Sequence, residues 1–230
     1  MTADLFLGFT GTIANILCAI ALWRFGMRAV VGFAFALAAW LLYVGVLGAS
    51  GVIADQTRRP PGIVFIAVPL ILVVLAAAVS APGGRIARAV PIAALIGLQT
   101  YRIGVELFLH ALWAMHLAPR MLTFEGANVD IWIGALAPLC AWLATRKGSG
   151  CNLALAWNVA GLASLANVVI RSAVTAPGPL NLLHAEILNR VVGTFPYTYI
   201  AGFLAPLAIV LHVLAIRSLR ARRTPGEMRL

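Results

Sequence analysis

Long apolar runs separated by short polar segments dominate the chain. A helix needs about 20 predominantly apolar residues to cross a bilayer, and seven runs approach or exceed that length. They cover residues 4–23, 29–52, 62–81, 89–116, 129–145, 152–175 and 195–217. This pattern predicts an all-α protein, a single domain over residues 1–230 built from seven transmembrane helices.

Polar side chains interrupt the fourth run, residues 89–116. Gln99, Arg102, Glu106 and His110 follow one another at offsets of three, four and four residues, which place them on one face of a helix. Charged groups are costly in a bilayer and normally face the interior of a bundle or a wet cavity. The stripe therefore predicts a polar site inside the bundle.

Composition and charge agree with a membrane protein. Hydrophobic residues make up 62% of the chain and charged residues 10%, whereas soluble domains have about half and about a quarter. A net charge of +10 would suggest a nucleic-acid partner in a soluble protein, but here the basic residues flank apolar runs, where they orient helices. We therefore expect the lipid bilayer as the partner and no nucleic acid. The oligomeric state does not follow from the sequence.

The distribution of basic residues predicts the orientation. Lysine and arginine concentrate in alternate segments, which include Lys147 and the tail from Arg217 to Arg229, and the pair Arg58-Arg59 is the exception. Short loops rich in lysine and arginine remain in the cytoplasm. We therefore expect an outside N-terminus, a cytoplasmic C-terminus and a location in the bacterial inner membrane.

Two polar groups are expected at different depths. A rise of about 1.5 Å per residue, counted from the predicted inner boundaries, places one group in the outer half of the bundle, where spans four, six and seven would form a pocket. A buried packing network is the alternative interpretation. The residues of this predicted outer pocket are Gln99, Arg102, Glu106, His110, Asn167, Arg171, Tyr197 and Tyr199.

Asn15, Asn158 and His212 form the second group, near the cytoplasmic boundary by the same count. A histidine within a span can pass a proton between neighbours. The group is therefore a candidate proton relay, and a hydrogen-bonded core histidine is the other interpretation.

The sequence predicts no cofactor and no metal site. The single lysine, Lys147, lies in a loop, so it cannot hold retinal inside the membrane. His110 and His212 differ in predicted depth by roughly 20–25 Å and cannot share a haem. His110 and His116 point to different helix faces, and neither an HExxH motif nor a Cys/His cluster is present.

Other patterns predict local geometry. Glycines at 45, 48 and 51 form a ridge that lets another helix approach closely, and prolines at 69, 138 and 206 each free a backbone carbonyl within a span. Asp130 is expected to cap the fifth helix. Helical spacing of apolar residues from Leu180 to Val192 predicts an amphipathic helix over the outer mouth.

Three stretches carry a resemblance to known sequences. QTYRIGVELFL, MLTFEGANVDIW and AWNVAGLASLANVV, followed by a proline-flanked last helix, resemble an uncharacterised family of small bacterial multi-pass membrane proteins. The resemblance implies membrane topology and no particular activity.

Two functional classes and one structural class agree with these features. In the first, arginines of the pocket attract a small anionic or protonatable solute or a lipid headgroup, which the protein binds or translocates while Glu106 exchanges a proton. In the second, Glu106 and His110 act as acid and base of an intramembrane enzyme on a lipid-linked substrate. The third is an accessory subunit without a ligand.

Overall fold

A computed structural model describes residues 3–55, 57–146, 149–177 and 181–223. Regular structure in these ranges is helical throughout. Lys147, Leu180 and Arg229, which entered the predictions above, lie outside the described residues. The main helices are α1 (Ala3–Phe25), α2 (Met27–Ala49), α3 (Val64–Val79), α4 (Ala81–Ala89), α5 (Ile92–Ala114), α6 (Asp130–Leu143), α7 (Ser149–Val174) and α8 (Ile200–Arg222).

Five of these helices, α1, α2, α5, α7 and α8, are long and apolar enough to cross a membrane. A sixth span results if α3 and α4, which meet at a bend of 69°, are counted together. Helix α6 has 14 residues, about 21 Å at 1.5 Å per residue, and is shorter than a hydrocarbon core of about 30 Å. The described chain is thus a multi-pass helical membrane protein with five to six helices of spanning character.

The segment from 115 to 129 before α6 is irregular but partly buried. Ala118, Leu122, Thr123 and Asn128 are at most 2% exposed. Irregular backbone is tolerated at membrane depth only where protein covers it. The segment therefore leads into the bundle, and α6 begins in the protein interior.

Helix α8 is the centre of the bundle. It packs against α2, α3, α4, α5 and α7, while α5 packs against α1, α6 and α8. Phe203, Leu204, Ala208, Leu211 and Ala215 bury the face of α8 that meets these neighbours. The polar stripe of α5 consequently has α6 and α8 within reach.

Helices α1 and α2 pack on each other and leave most of their surface exposed. Phe35 and Leu42 of α2, for example, are 78% and 69% exposed. Contiguous apolar surface of this kind is suited to contact with lipid.

The predicted glycine ridge of α2 faces the chain that leads into α8. A Cβ atom at Gly45 would lie 2.6 Å from Tyr199 Oη, and one at Gly48 would lie 2.6 Å from Thr198 Oγ1. These two glycines permit the close approach that the pattern predicted. Gly51 has no such neighbour, and its φ of +74° places it in a turn that favours glycine.

Helix α2 also binds two carbonyls that prolines leave free. Pro69 in α3 lacks the N–H that would bond the Phe65 carbonyl four residues earlier. Pro206, just after the π-helical turn Ile200–Leu204 at the start of α8, has no N–H to donate to the carbonyls of that turn. Tyr43 Oη donates to the freed carbonyl of α3 at 3.2 Å, and Trp40 Nε1 donates to the Gly202 carbonyl of α8 at 2.8 Å. Side-chain donors from a neighbouring helix are a common way to satisfy such groups in membranes.

The amphipathic helix predicted for 180–192 is not formed over the described part of that segment. Residues 181–190 are irregular, and a short 3-10 turn covers Val191–Gly193. The backbone bonds to the end of α7 instead, with Leu183 N donating to Val174 O and Asn189 N to Thr175 O. Because these carbonyls satisfy the backbone N–H groups, apolar spacing alone did not produce a helix.

Candidate functional site

Arg102 lies at the centre of a buried polar network. Its side chain is 3% exposed, Nη1 lies 3.0 Å from His212 Nε2, and Nη2 forms an ion pair with Asp130 Oδ1. Since α5 supplies Arg102, α8 His212 and α6 Asp130, one side chain joins three helices.

The histidine tautomer follows from its neighbours. Arginine has only donors, so His212 Nε2 accepts and the hydrogen is on Nδ1. Nδ1 then donates to Asn158 Oδ1 at 2.9 Å, and Asn158 Nδ2 donates to Ala154 O at 2.7 Å. The network thereby extends from α8 into α7.

Asp130 connects the network to α7 a second time. Ser164 Oγ donates to Asp130 Oδ1, the oxygen that also pairs with Arg102. Asp130 is not the cap of α6, contrary to the prediction, since Asn128 Oδ1 accepts from the Asp130 N–H at 3.0 Å. The Asp130 carboxylate binds across the bundle because the buried arginine is the stronger partner.

Glu106 is 1% exposed and is held by the same asparagine. Asn128 Nδ2 donates to Glu106 Oε1 at 2.6 Å and to Leu122 O at 2.9 Å. One buried amide thus binds Glu106 through its nitrogen and the start of α6 through its oxygen. Glu106 Oε2 is buried and has no hydrogen-bond partner among the described residues.

The expected separation of Arg102 and His212 into different depths is wrong. The count from sequence assumed helix ends at 89 and 217, whereas α5 begins at Ile92 and α8 ends at Arg222. Each residue is ten positions from these ends, which places both about 15 Å from the same end of the bundle. Arg102 and Glu106 of the first predicted group and Asn158 and His212 of the second therefore belong to one network.

Gln99 is buried and binds the neighbouring helix. Its Nε2 donates to Ala208 O of α8 at 3.0 Å, and Tyr101 Oη donates to Leu204 O at 2.5 Å. These bonds fix the register between α5 and α8, which holds Arg102 opposite His212.

Asn167 and Arg171 form a separate arrangement on α7. Arg171 Nε donates to Asn167 Oδ1 at 2.8 Å, and Asn167 Nδ2 donates to Ala127 O at 2.9 Å. Neither residue hydrogen-bonds to Arg102 or Glu106, contrary to expectation. The pair ties α7 to the segment that precedes α6.

Tyr197 and Tyr199 contact the N-terminal hairpin. The Tyr197 ring lies 5.2 Å from the ring of Phe6 in α1, and Tyr199 Oη donates to Leu41 O of α2 at 3.1 Å. Tyr199 Oη thus bonds to α2 and not to Arg102 or Glu106, with which the prediction grouped it.

His110 and Asn15 also lie outside the network. The His110 ring stacks on Phe124 at 4.8 Å, and its Nδ1 is 3.7 Å from Glu125 Oε1. Glu106 and His110 form no hydrogen bond with each other within the described ranges. Asn15 lies on the exposed side of α1 and does not join the other two members of its predicted group.

Two glycines make room for the network. A Cβ atom at Gly161 of α7 would overlap the His212 ring, and one at Gly134 of α6 would lie 3.3 Å from Arg102 Cβ. The close approach of α7 to α8 and of α6 to α5 therefore depends on the absence of a side chain at these positions.

A cavity of about 30 Å³ adjoins the network between α5, α7 and α8. Tyr101, Arg102, Glu106 and Asp130 line its polar side, and the remaining wall is apolar and reaches Val169, which is 49% exposed. Arg102 Nε and Glu106 Oε2 have no hydrogen-bond partner within the described chain. A cavity of this volume has room for one or two water molecules, although most of its wall is apolar.

The charges determine what the site can do chemically. Arg102 and Asp130 balance each other, so Glu106 is the remaining ionisable carboxyl group beside the cavity. A buried carboxyl group with one unused oxygen can exchange a proton or accept a hydrogen bond. Within the described residues no cluster of three His, Cys, Asp or Glu side chains could hold a metal ion.

Sequence reasoning missed three polar members of the network: Asn128, Asp130 and Ser164. On α7, small and polar residues recur at 158, 161, 164 and 167, so the face criterion applied to α5 would have identified Ser164. Asn128 was assigned to an outer loop because it precedes the apolar run.

The fold and the site together define a class: a multi-pass helical membrane protein with an arginine-centred polar network in its interior. Residues 60–220 match the family described as Domain of unknown function (DUF8737), and the chain belongs to this family. The match includes α3 to α7, nearly all of α8 and every member of the network. No curated protein and no solved structure shows significant similarity to the chain.

Proposed function

We propose that this protein binds or translocates a small protonatable solute, or protons carried by water, at the cavity beside Arg102 and Glu106. The observation that carries the proposal is that Arg102 and Glu106 both line one small cavity and each keeps a buried polar atom, Nε and Oε2, without a hydrogen-bond partner among the described residues. Ionisable residues inside membrane spans commonly belong to proton relays or solute pathways.

The shape of the cavity narrows the ligand. Its volume admits water-sized groups, so the solute is a proton carried through water, or a molecule whose small polar end enters while its apolar part lies along Val169. A bulky hydrophilic ion does not fit this description. In either case Glu106 takes up and releases the proton.

We further propose seven membrane crossings, with the N-terminus outside and the C-terminus in the cytoplasm of a bacterial inner membrane. The partly buried segment 115–129 and α6 would together complete one crossing, and α3 with α4 another. The arginines at the ends of α1, α4, α6 and α8 support this orientation. Reporter fusions after Arg223 and after Arg58, in the exposed turn between α2 and α3, test it, and an outside reporter after Arg223 would contradict it.

Native mass spectrometry of the purified protein, compared with its Glu106→Gln variant, tests the ligand. We expect a molecule bound to the wild-type protein to be lost from Glu106→Gln, or, for a proton alone, pH-dependent proton flux in liposomes to be lost. Glu125→Gln is the matched control, because Glu125 is half-exposed and lies outside the network. Unchanged binding and unchanged flux in Glu106→Gln would refute the proposal.

An accessory subunit without a ligand is the second candidate. The extensive hydrogen bonding of the network and its small cavity favour it, since polar bonds between helices commonly stabilise membrane bundles. The intramembrane enzyme has less support, because His110 faces Glu125 and Phe124 instead of Glu106.

A further inference from the structure

A second arginine site lies where α3 bends into α4, apart from the network around Arg102. Arg217 of α8 reaches this bend, and its Nη1 donates to Ala77 O at 2.6 Å and to Ser80 O at 3.0 Å. Ser80 Oγ in turn accepts from Gly83 N at 3.1 Å. The Arg217 guanidinium is therefore held in a fixed orientation over the first turn of α4.

A second guanidinium points to the same place. The position that a Cβ atom would occupy at Gly84 lies 2.7 Å from Arg217 Nη2 and 3.5 Å from Arg88 Nη1. Gly84 thus permits two cationic groups to approach one point. A side chain at this position would push them apart.

These two cations have no described counter-charge. The ion pairs of the described residues join other groups, and neither Arg88 nor Arg217 takes part in one. Like charges at close range repel each other, so the arrangement is favourable when an anion lies between them. The planar guanidinium matches the oxygens of a phosphate group.

We propose that Arg88 and Arg217 bind a phosphate group over Gly84. The phosphate belongs either to an anionic phospholipid headgroup or to a free phosphate or phosphoester. Exposed apolar side chains beside the site, Val79 at 79% and Ile86 at 39%, could contact the acyl chains of a lipid.

Binding of dihexanoyl phosphatidylglycerol, inorganic phosphate and dihexanoylglycerol to the purified full chain, by isothermal titration calorimetry in a neutral detergent, tests the site. We expect phosphate-bearing compounds to bind and dihexanoylglycerol, which lacks phosphate, not to compete. Arg88→Gln should weaken binding about tenfold, the effect of one charge-assisted hydrogen bond. If inorganic phosphate binds and its binding also depends on Arg88, the ligand is free phosphate. If only dihexanoyl phosphatidylglycerol binds in this way, the ligand is a phospholipid headgroup.

Arg85→Gln is the matched control, because Arg85 is an exposed arginine on the same helix and the variant has the same net charge. Equal losses in Arg85→Gln and Arg88→Gln would show diffuse charge attraction and overturn the proposal. Gly84→Ala keeps every charge and should also weaken binding, with Gly32→Ala, whose Cβ position is open, as its control. Absence of binding to wild-type protein would likewise refute the site.

Discussion

Asp130→Asn is the substitution that most directly tests the buried network. It removes the carboxylate that pairs with Arg102, and both side chains are nearly inaccessible, at 8% and 3%. Asparagine keeps an oxygen that can accept from Ser164, so the main loss is the charge. Removing one partner of a buried pair costs about 3–5 kcal/mol, and we expect the lower end, about 3 kcal/mol.

Thermal unfolding of the purified protein in detergent, followed by circular dichroism, measures the effect. A loss of about 3 kcal/mol corresponds to a decrease of about 6–12 °C in Tm for a chain of this length. Asp55→Asn is the control, because Asp55 lies 3.9 Å from Arg58 at the exposed surface and such pairs contribute little.

A double variant separates charge from packing. Arg102→Met combined with Asp130→Leu replaces the pair by apolar side chains, which should recover much of the stability that Asp130→Asn loses. If Asp130→Asn unfolds like Asp55→Asn, or if the double variant is less stable than Asp130→Asn, the ion pair does not hold the three helices as described.

Two further substitutions test the contacts of α8. Gly161→Ala should displace the His212 ring and lower Tm. Gly11→Ala, whose Cβ position is open, should leave Tm unchanged. Equal Tm values for the two variants would contradict the close approach of α7 to α8. Trp40→Phe should destabilise the fold by about 1 kcal/mol in denaturant unfolding, because it leaves a carbonyl of α8 without a donor. Trp23→Phe is the control, since the Trp23 side chain is 65% exposed. An equal loss of stability in the two variants would contradict a specific role for the Trp40 hydrogen bond.

The sequence predicted which helix faces are buried better than it predicted which side chains contact each other. The offsets between Gln99, Arg102 and Glu106 correctly placed all three in the protein interior, because charged side chains on an apolar helix are costly in lipid and face the inside of the bundle. Glycine spacing likewise located the contact between α2 and the start of α8. Both predictions require only the spacing of residues along a single helix.

Partners depend on helix ends, which periodicity defines poorly. A shift of three residues at the start of α5 and five at the end of α8 changes relative depth by about 12 Å, enough to separate Arg102 from His212. Asn128 was read as a loop residue and Asp130 as a helix cap, because their burial depends on the protein that surrounds the segment. Such tertiary burial leaves no local pattern in the chain.

The two carbonyls bound by α2 have a consequence for defining a minimal domain. The family match begins at residue 60, so it contains both prolines but neither of the aromatic donors that satisfy the carbonyls they free. A protein trimmed to the matched region would present these groups to lipid, where each unsatisfied group costs several kcal/mol. Pro69→Ala and Pro206→Ala restore an N–H at each position. They are the substitutions with which a minimal version of the domain should begin.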